Sequence, residues 1–266
     1  MPNRRNVYLF YKKSEELLEK IQPLHKLAAE HDFKLVNTMQ EANIIVAVGG
    51  DGTFLQAVRQ SGFRDDCLYA GISTSSDPSF YCDFHIDDTA KMLEAMTTES
   101  IEVRRFPVID VTVNNSHSFY CLNECSIRST LIKTFEMDVY INDLHFETFR
   151  GDGMIISTPT GSTAYNKSVS GAVVDPLLPC MQVSEIASLN NNTYRTLGSS
   201  FILSNAHTLT LKLINDDNHY PTIGMDNEAS GVRHVEELSI RLSDRQIKTV
   251  KLKDNSFWRR VQRTFL

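Results

Sequence analysis

The chain has 266 residues, 41% of them hydrophobic, which is long enough to form one large domain or two ordinary domains with buried cores. Its formal net charge of −6 argues against non-specific nucleic-acid binding, which needs a basic surface, and against attraction to anionic membranes. No apolar run approaches the length of a bilayer span, and the first five residues do not lead into a signal peptide. We therefore expect a soluble cytoplasmic protein without nucleic-acid or membrane partners.

Several familiar catalytic signatures are absent from the sequence. There is no GxxxxGK(S/T) phosphate loop, no GxGxxG dinucleotide fingerprint, no GxSxG elbow and no HExxH metal helix. These absences exclude classical NTPases, Rossmann dehydrogenases, α/β-hydrolases and HExxH metalloproteases. The five cysteines are odd in number and lack CxxC spacing, so we expect reduced core residues rather than disulfides or a zinc site.

The first part of the chain alternates between short apolar runs and helical stretches. The apolar runs predict strands over residues 7–11, 33–36, 44–48 and 67–72. Ser14 and the two glutamates after it predict a helix start, Pro23 should kink or divide that helix, and another helix is predicted over 88–96. This rhythm is typical of βαβ units and predicts a Rossmann-like α/β domain with a parallel sheet over residues 1–105.

The glycine-rich turn after the third predicted strand is the first candidate site. The unbroken apolar run at 44–48 ends in Gly49-Gly50-Asp51-Gly52-Thr53. Ligands of open α/β sheets lie beyond the carboxyl ends of strands, and glycines allow close approach to a phosphate, with Thr53 expected to cap a helix over 54–60. Asp51 would repel a phosphate unless it holds a metal ion or hydrogen-bonds a hydroxyl group. The alternative is a simple glycine turn in which Asp51 is a local cap.

Beyond residue 105 the pattern changes from helical spacing to alternation. Apolar and polar residues alternate over 108–113, 209–213 and 238–242. This predicts a mostly antiparallel all-β sandwich domain over residues 106–253. The last segment, 254–266, carries an apolar helical stripe and is expected to pack back on the first domain rather than bind a cofactor.

Two polar segments interrupt the alternation in this second half. Asn123-Glu124 can present donors and acceptors to a ribose or an adenine edge, although a solvated turn would explain such a pair equally well. The run from Phe149 to Ser168 contains a hydroxyl-rich turn around Pro159 that leads into a short helix. Its hydroxyl groups and backbone amides suit the polar atoms of a nucleotide, and Tyr165 offers a ring for stacking. The alternative for this run is a capped helix with Tyr165 in the core.

Three segments, in this order along the chain, resemble the motifs of bacterial NAD kinases: Gly49 to Thr53, Asn123-Glu124, and Asp152-Gly153 through Tyr165. The first is shared with phosphofructokinases and with diacylglycerol and sphingosine kinases, whereas the long third segment together with Asn-Glu is highly specific. The resemblance spans nearly the whole chain. It implies an NAD kinase-like fold, with a phosphofructokinase-like α/β domain, a C-terminal β-sandwich and an active site between them. It also implies a homodimer or homotetramer whose subunits share the site.

The resemblance further implies ATP-dependent phosphorylation of the adenosine ribose 2′-hydroxyl of NAD, giving NADP and ADP, with a divalent metal (Mg or Mn) held through the phosphates. Asp51 is then the proton acceptor, and Gly50 and Gly52 shape the phosphate turn. The resemblance implies substrate-binding roles for further residues. Asn123 and Glu124 lie at the ribose or phosphate region of NAD, and Arg150 and Asp152 lie near the nicotinamide end across a subunit contact. The adenine and its ribose are surrounded by Thr163, Ala164, Tyr165 and Ser168 with the intervening Asn166 and Lys167, while Ala187 contributes a backbone contact and Asp226 lies near the reacting hydroxyl.

One loop departs from the family pattern. An Asn-Thr-Gly-His-Leu-Gly-Phe type loop is common after the fourth strand, but this chain has the polar run 73–79, and only Phe80, Tyr81 and Asp83 can be matched, the first two as possible loop contacts. Two alternatives stay open beside an NAD kinase. A GGDGT-type lipid kinase is disfavoured by the long third segment and by the lack of a membrane-docking stretch. A non-catalytic dinucleotide sensor is disfavoured by the intact Asp51.

Overall fold

The structure is a computed structural model that describes residues 5–77, 79–98, 100–130, 134–214, 221–231 and 234–266. Residues 1–4, considered above for a leader segment, and residue 78 of the polar loop lie outside the described residues. The chain divides into two compact units. Unit 1 comprises the chain up to Phe106 together with Ile247–Leu266, and unit 2 is Pro107–Gln246.

Strands and helices are mixed along the chain up to α4, and almost all later elements are strands. The first ten are β1 Asn6–Phe10, α1 Glu15–Lys20, α2 Gln22–Glu30, β2 Lys34–Leu35, β3 Ile44–Val48, α3 Asp51–Gln60, β4 Leu68–Ser73, β5 Cys82–His85, α4 Thr89–Thr97 and β6 Ile101–Val113. The remainder are β7 His117–Cys121, β8 Glu124–Arg128, β9 Phe135–Ile141, β10 Leu144–Gly151, β11 Gly153–Ser157, α5 Tyr165–Ser168, β12 Cys180–Ile186, β13 Phe201–Ser204, β14 Thr208–Leu213, β15 Thr222–Met225, β16 Glu228–Gly231, β17 Glu237–Leu252 and α6 Phe257–Phe265.

Unit 1 is built on a parallel sheet in the order β2-β1-β3-β4. β4 also pairs in parallel with β5 and with residues 248–249 of β17. The central strand β3 carries Ile45, Ala47 and Val48, all buried, as expected for a strand covered on both faces. The carboxyl ends of β3 and β4 lie side by side at one sheet edge, because Val48 is in register with Ile72.

Local sequence signals explain most of the helix boundaries in unit 1. Ser14 caps α1, its hydroxyl accepting a hydrogen bond from the Leu17 amide at 3.2 Å. Pro23 lies in the first turn of α2 and separates it from α1, so the predicted helix is divided as expected. The expected Thr53 cap is wrong, because the extended backbone of Gly50 leads directly into the helix and α3 begins at Asp51. Thr53 therefore lies inside the first turn of the helix.

Unit 2 is a sandwich of antiparallel strands. One layer has the order β10-β9-β14-β17, with β6 pairing both β17 and β7. The other has the order β13-β12-β11-β8-β15-β16, antiparallel at every pair. Side chains from both layers form one core, in which Val139, Leu211, Ile127 and Ile156 are fully buried.

The predicted fold class, an α/β part followed by an all-β sandwich, is confirmed. All five cysteines are buried and free, as expected of reduced core residues. Among the described residues, no helix combines the length and apolar character needed to span a bilayer.

Candidate active site

The turn between β3 and α3 places Asp51 at the amino end of a helix. Gly49 has φ +155°, a conformation that side chains rarely adopt, and a Cβ there would collide with the side chain of Thr53. Its amide donates to the Ile72 carbonyl at 2.8 Å, which ties the turn to the end of β4. Gly50 has open space around it. The glycines thus allow a tight turn whose helix amides can receive an anion.

The Asp51 carboxylate is held by the segment that precedes β5. It accepts hydrogen bonds from the Ser79 hydroxyl, from the Phe80 amide at 2.9 Å and from the Tyr81 amide at 2.9 Å. These donors lie 28 to 30 residues away along the chain, so Asp51 is not a local cap of its own turn. The carboxylate is therefore fixed in direction by tertiary contacts.

Phe80 and Tyr81 contact Asp51 through their backbone rather than their rings. The Tyr81 ring is stacked on Phe54 of α3 with centroids 4.6 Å apart, and the Phe80 ring lies 6.2 Å from Phe257 and 5.9 Å from Phe265 of α6. Both rings pack against helices of unit 1, which anchors the two amides. In the structure these two residues are N–H donors to Asp51. Their predicted loop contacts with a substrate stay a prediction.

In unit 2 the structure brings together Asn123, Glu124 and Asp226. Asn123 lies just before β8, and Glu124 is the first residue of that strand. They are 9% and 7% exposed, so the alternative of a solvated turn is wrong. Asp226 has φ +52° after β15, and its carboxylate accepts hydrogen bonds from the amides of Leu122 at 3.1 Å and Asn123 at 2.7 Å. These contacts fix the backbone that presents the Asn-Glu pair.

Glu124 is an unusual carboxyl group. One of its oxygens, Oε2, is buried without a hydrogen-bond partner. Burial, with a smaller contribution from the Asp226 carboxylate, raises the pKa of Glu124 to about 8, against a hydrogen bond from the Tyr165 backbone that lowers it. An unpartnered buried oxygen beside a second carboxylate is costly, and it is the type of group that a ligand hydroxyl can satisfy.

The hydroxyl-rich turn after β11 uses most of its hydroxyl groups internally. Thr158 donates to the Leu122 carbonyl at 2.6 Å, Ser162 donates to the Pro159 carbonyl at 2.6 Å, and both side chains are fully buried. Sequence reasoning counted these hydroxyls as nucleotide donors, but the structure uses them to hold the turn. A Cβ at Gly161 would overlap the Asn123 backbone, so this turn packs directly against the Asn-Glu segment.

The remaining predicted binding residues of this run surround the short helix α5. Thr163, Ala164 and Tyr165 are half-buried, and Lys167 and Ser168 are exposed. Tyr165 is not a core residue, and the Arg128 guanidinium lies 6.0 Å from its ring centroid. The fully buried Asn166 accepts a hydrogen bond from the Ser184 hydroxyl at 2.7 Å, so its amide supports the segment from inside.

A second group of predicted residues lies at the other end of β11. Arg150 donates to Glu136 at 2.9 Å, and its guanidinium lies 4.3 Å from the centroid of the Tyr194 ring. Asp152 is exposed and donates its amide to the Ile186 carbonyl at 2.9 Å, next to Ala187, whose φ is +47°. β11 therefore separates two clusters, one at Glu124 and one at Asp152.

Sequence reasoning missed Ser79 and Lys251. Ser79 belonged to a polar loop with no distinguishing feature, so the sequence carried no signal for it. Lys251 is fully buried and lies on the same face of β17 as the fully buried Ile247 and Thr249. A lysine at a core-facing position of an alternating strand was the available signal.

The described residues contain no cluster of three or more His, Cys, Asp or Glu side chains that could hold a metal ion by themselves. The Asp51 carboxylate is an oxygen donor of the kind that a divalent metal takes, and it could contribute to the coordination of a metal together with water or phosphate oxygens.

Comparison with known proteins assigns the chain to a family. A model of the ATP-NAD kinase C-terminal domain matches residues 122–252. "NAD kinase 2" of Bacillus subtilis (strain 168) is 65% identical over 263 residues, which cover 99% of this chain and 98% of that protein. "NAD kinase 2" of Bacillus anthracis is 62% identical, with complete coverage of both chains. "NAD kinase 2" of Geobacillus kaustophilus (strain HTA426) is 61% identical, with 99% and 98% coverage.

Solved structures show the same fold at lower identity. Yeast NADH kinase complexed with NADH has a TM-score of 0.79 at 20% identity, covering 98% of this chain and 87% of that chain. An NAD kinase from Archaeoglobus fulgidus in complex with ATP has a TM-score of 0.73 at 22% identity, covering 98% and 97%. Because relatives more than 60% identical match it from end to end, the chain belongs to the NAD kinase family.

Proposed function

We propose that this chain is an NAD kinase, which transfers the γ-phosphoryl group of ATP to the adenosine ribose 2′-hydroxyl of NAD and releases NADP and ADP. The observation that carries this proposal is the 61–65% identity to NAD kinases over essentially the full chain. The solved neighbours, one complexed with NADH and one with ATP, support a nicotinamide dinucleotide and ATP as the substrates.

Asp51 is proposed as the proton acceptor. In the transfer, the 2′-oxygen forms a bond to the γ-phosphorus, the bond from that phosphorus to the leaving ADP oxygen breaks, and the hydroxyl proton needs a base. The three donors from residues 79–81 hold the Asp51 carboxylate in one direction, and such fixed geometry is what a general base requires. Gly50 and Gly52 are proposed to leave room for phosphate oxygens near the amino end of α3.

Unit 2 is proposed as the NAD-binding part of the chain. The cluster of Asn123, Glu124 and Asp226, together with residues 163–168, would bind the adenosine side of NAD. Oε2 of Glu124 would accept a hydrogen bond from a ribose hydroxyl. The cluster of Arg150, Asp152 and Ala187 would take the nicotinamide side. The two lie at opposite ends of the five-residue strand β11, about 13 Å apart at about 3.3 Å per residue, which suits a dinucleotide better than a mononucleotide.

A divalent metal would be held mainly by the phosphates and would neutralise their charge during transfer. In the proposed domain roles, unit 1, made of the residues up to 106 and of residues 247–266 with the C-terminal helix, carries the phosphate turn, and unit 2, residues 107–246, binds NAD. The same proposal includes a homodimer or homotetramer whose subunits share the site. It also includes a cytoplasmic location, where ATP and NAD are accessible.

The deciding experiment incubates the purified full chain with ATP and Mg²⁺, offering NAD, NADH or a diacylglycerol in separate reactions. NADP and ADP in equal amounts would support the proposal. The reaction with NADH tests whether the reduced dinucleotide is also phosphorylated. Phosphatidate formation would instead favour a lipid kinase. Tight NAD binding without any ADP or NADP would favour a non-catalytic sensor.

A further inference from the structure

The peptide group between Phe80 and Tyr81 joins two charged side chains of unit 1. Its N–H donates to the Asp51 carboxylate at 2.9 Å, and its carbonyl accepts from the Lys251 ammonium at 3.1 Å. The bond is trans, so its N–H and C=O point in opposite directions within one rigid plane. The carboxylate and the ammonium group therefore lie at the two ends of a single peptide dipole, each at the end that attracts it.

Lys251 makes a second contact with the same segment. Its ammonium also donates to the Tyr81 carbonyl at 2.7 Å. The segment is thus held from both sides, since its amides donate to Asp51 and its carbonyls accept from Lys251. Rotation of the Phe80–Tyr81 peptide would break a charge-assisted hydrogen bond at each end.

The position of Lys251 is itself fixed by Asp83 of β5. The two side chains form an ion pair at 3.5 Å and neither has any exposed surface. Asp83 also accepts hydrogen bonds from the Leu252 amide at 2.8 Å and from the Asn255 side chain at 2.9 Å, and it pairs with Arg260 of α6 at 3.4 Å. A buried ammonium group with two carbonyls and a carboxylate as partners has little freedom to move.

Lys251 remains mainly cationic at neutral pH. Burial, with a smaller contribution from the positive charge of Arg260, lowers its pKa to about 8, while the carboxylates of Asp83 and Asp51 and the Cys82 thiol oppose this shift. The Asp51 carboxylate and the Lys251 ammonium group therefore attract each other through space, in addition to their hydrogen bonds to the shared peptide group.

We propose that Lys251 is a positioning residue for Asp51, acting through the Phe80–Tyr81 peptide to hold the carboxylate in its reactive direction. This inference rests on the proposed function, which makes Asp51 the proton acceptor. Removing the ammonium leaves the Phe80 and Tyr81 carbonyls without the Lys251 donor. The Phe80–Tyr81 peptide can then rotate, which weakens the hydrogen bond from the Tyr81 amide to the Asp51 carboxylate. The loss falls on turnover rather than on NAD binding, because the Lys251 side chain is completely buried and cannot contact a bound substrate directly.

The kinetic test compares Lys251→Met with Arg260→Met. Both changes remove a buried cation that pairs with Asp83, but of the two only Lys251 contacts the carbonyls of residues 80 and 81 in the structure. We expect Lys251→Met to lower kcat about 10- to 100-fold with KM for NAD changed less than threefold, and Lys251→Gln, which keeps an N–H donor, to recover part of that loss. Arg260→Met should lower thermal stability but keep kcat within threefold.

Two kinetic outcomes would overturn the inference. One is a Lys251→Met enzyme with kcat within threefold of the wild type. The other is an equal loss of kcat in Arg260→Met, which would show a general effect of the buried charges. If Lys251→Met does not fold, the comparison of Lys251→Gln with Arg260→Met decides in the same way.

A spectroscopic test separates this inference from the proposed function. Labelling with ¹⁵N-tyrosine gives signals for nine tyrosines, and Tyr81→Phe identifies that of Tyr81. The Tyr81 amide proton should move upfield in Asp51→Asn and in Lys251→Met but not in Arg260→Met, because its hydrogen bond to the carboxylate weakens. An unmoved Tyr81 signal in Lys251→Met sinks the inference whether or not the wild-type chain forms NADP, whereas a shifted signal in an inactive wild type would sink only the proposed function.

Discussion

At the scale of single residues, Asp51 carries the most direct consequence for activity. Asparagine keeps the size of the side chain and one carbonyl oxygen, but it cannot take a proton. Because the amides of residues 80 and 81 donate to different oxygens of Asp51, the asparagine oxygen replaces the acceptor of only one of them. We expect Asp51→Asn to retain the fold and NAD binding while kcat falls by about two to four powers of ten, the usual range for a lost general base. NADP formation gives kcat, and calorimetry gives the affinity for NAD.

The matched control is Asp65→Asn, which neutralises an exposed carboxylate just after α3. That variant should keep wild-type kcat. Near-normal turnover in Asp51→Asn would contradict the assignment of Asp51 as proton acceptor. The hydroxyl proton would then have to pass to a metal-bound oxygen or to a substrate phosphate.

Glu124 couples proton binding to stability. Its pKa of about 8 in the folded chain lies above the ordinary value of 4.5, so the folded state binds the proton more tightly than the unfolded state. The free energy of unfolding should therefore fall as pH rises from about 4.5 to about 8. Glu124→Gln stays neutral throughout, and we expect it to match the wild type at pH 5 but to be more stable by about 2–4 kcal/mol at pH 8.5.

Urea unfolding at pH 5, 6.5 and 8.5 measures this difference. Glu236→Gln, which changes an exposed carboxyl group in the same unit, is the control and should show no such trend. A stability gain of Glu124→Gln that is equal at pH 5 and pH 8.5 would contradict the assignment of a protonated Glu124 in the folded state.

At the scale of structural elements, the strand–turn–helix unit β3–α3 depends on one glycine. Gly49→Ala introduces a Cβ at φ +155°, where it meets the Thr53 side chain, whereas Gly50→Ala places a methyl group in open space at φ −97°. We expect Gly49→Ala to lower the free energy of unfolding by about 2 kcal/mol or more and Gly50→Ala by at most about 1 kcal/mol. Equal losses in urea unfolding would mean that neither the backbone angle nor the contact with Thr53 limits this turn.

Elements set by local signals could be predicted from the sequence. Ser14 capped its helix, Pro23 divided it and the run 44–48 formed a strand, since each depends on neighbours within a few residues. The start of α3 was predicted three residues late, because a glycine with extended backbone can end one element and begin the next without a side-chain cap.

The site itself was only half predictable. The motif residues that the sequence pointed to are clustered at Asp51, at Glu124 and at the two ends of β11. Their partners could not be predicted, because Lys251 lies 170 residues beyond the Tyr81 carbonyl that it contacts and Asp226 lies 103 residues beyond the Asn123 amide. The Thr158 and Ser162 hydroxyls show the same limit, since only the packed turn reveals that they are already used.

At the scale of the whole molecule, the proposed roles of the two units predict where bound NAD slows hydrogen exchange. At about 100 times its dissociation constant, NAD should stabilise its binding unit by about 2.7 kcal/mol. We expect hydrogen exchange to slow in peptides containing 122–124, 150–152 and 160–168 of unit 2, with no change in α1 and α2. Protection confined to unit 1 would contradict the assignment of unit 2 as the NAD-binding part.

Unit 1 is assembled from two separate stretches of chain, and this has a consequence for biosynthesis. Residues 247–266, which supply Lys251 and Arg260, are translated only after the whole of the continuous unit 2. Until they leave the ribosome, Asp83 has neither of its cationic partners, and burial of its carboxylate in that state would be strongly destabilising. The nascent α/β unit, with Asp51 inside it, therefore stays incomplete until residues 247–266 are available to it.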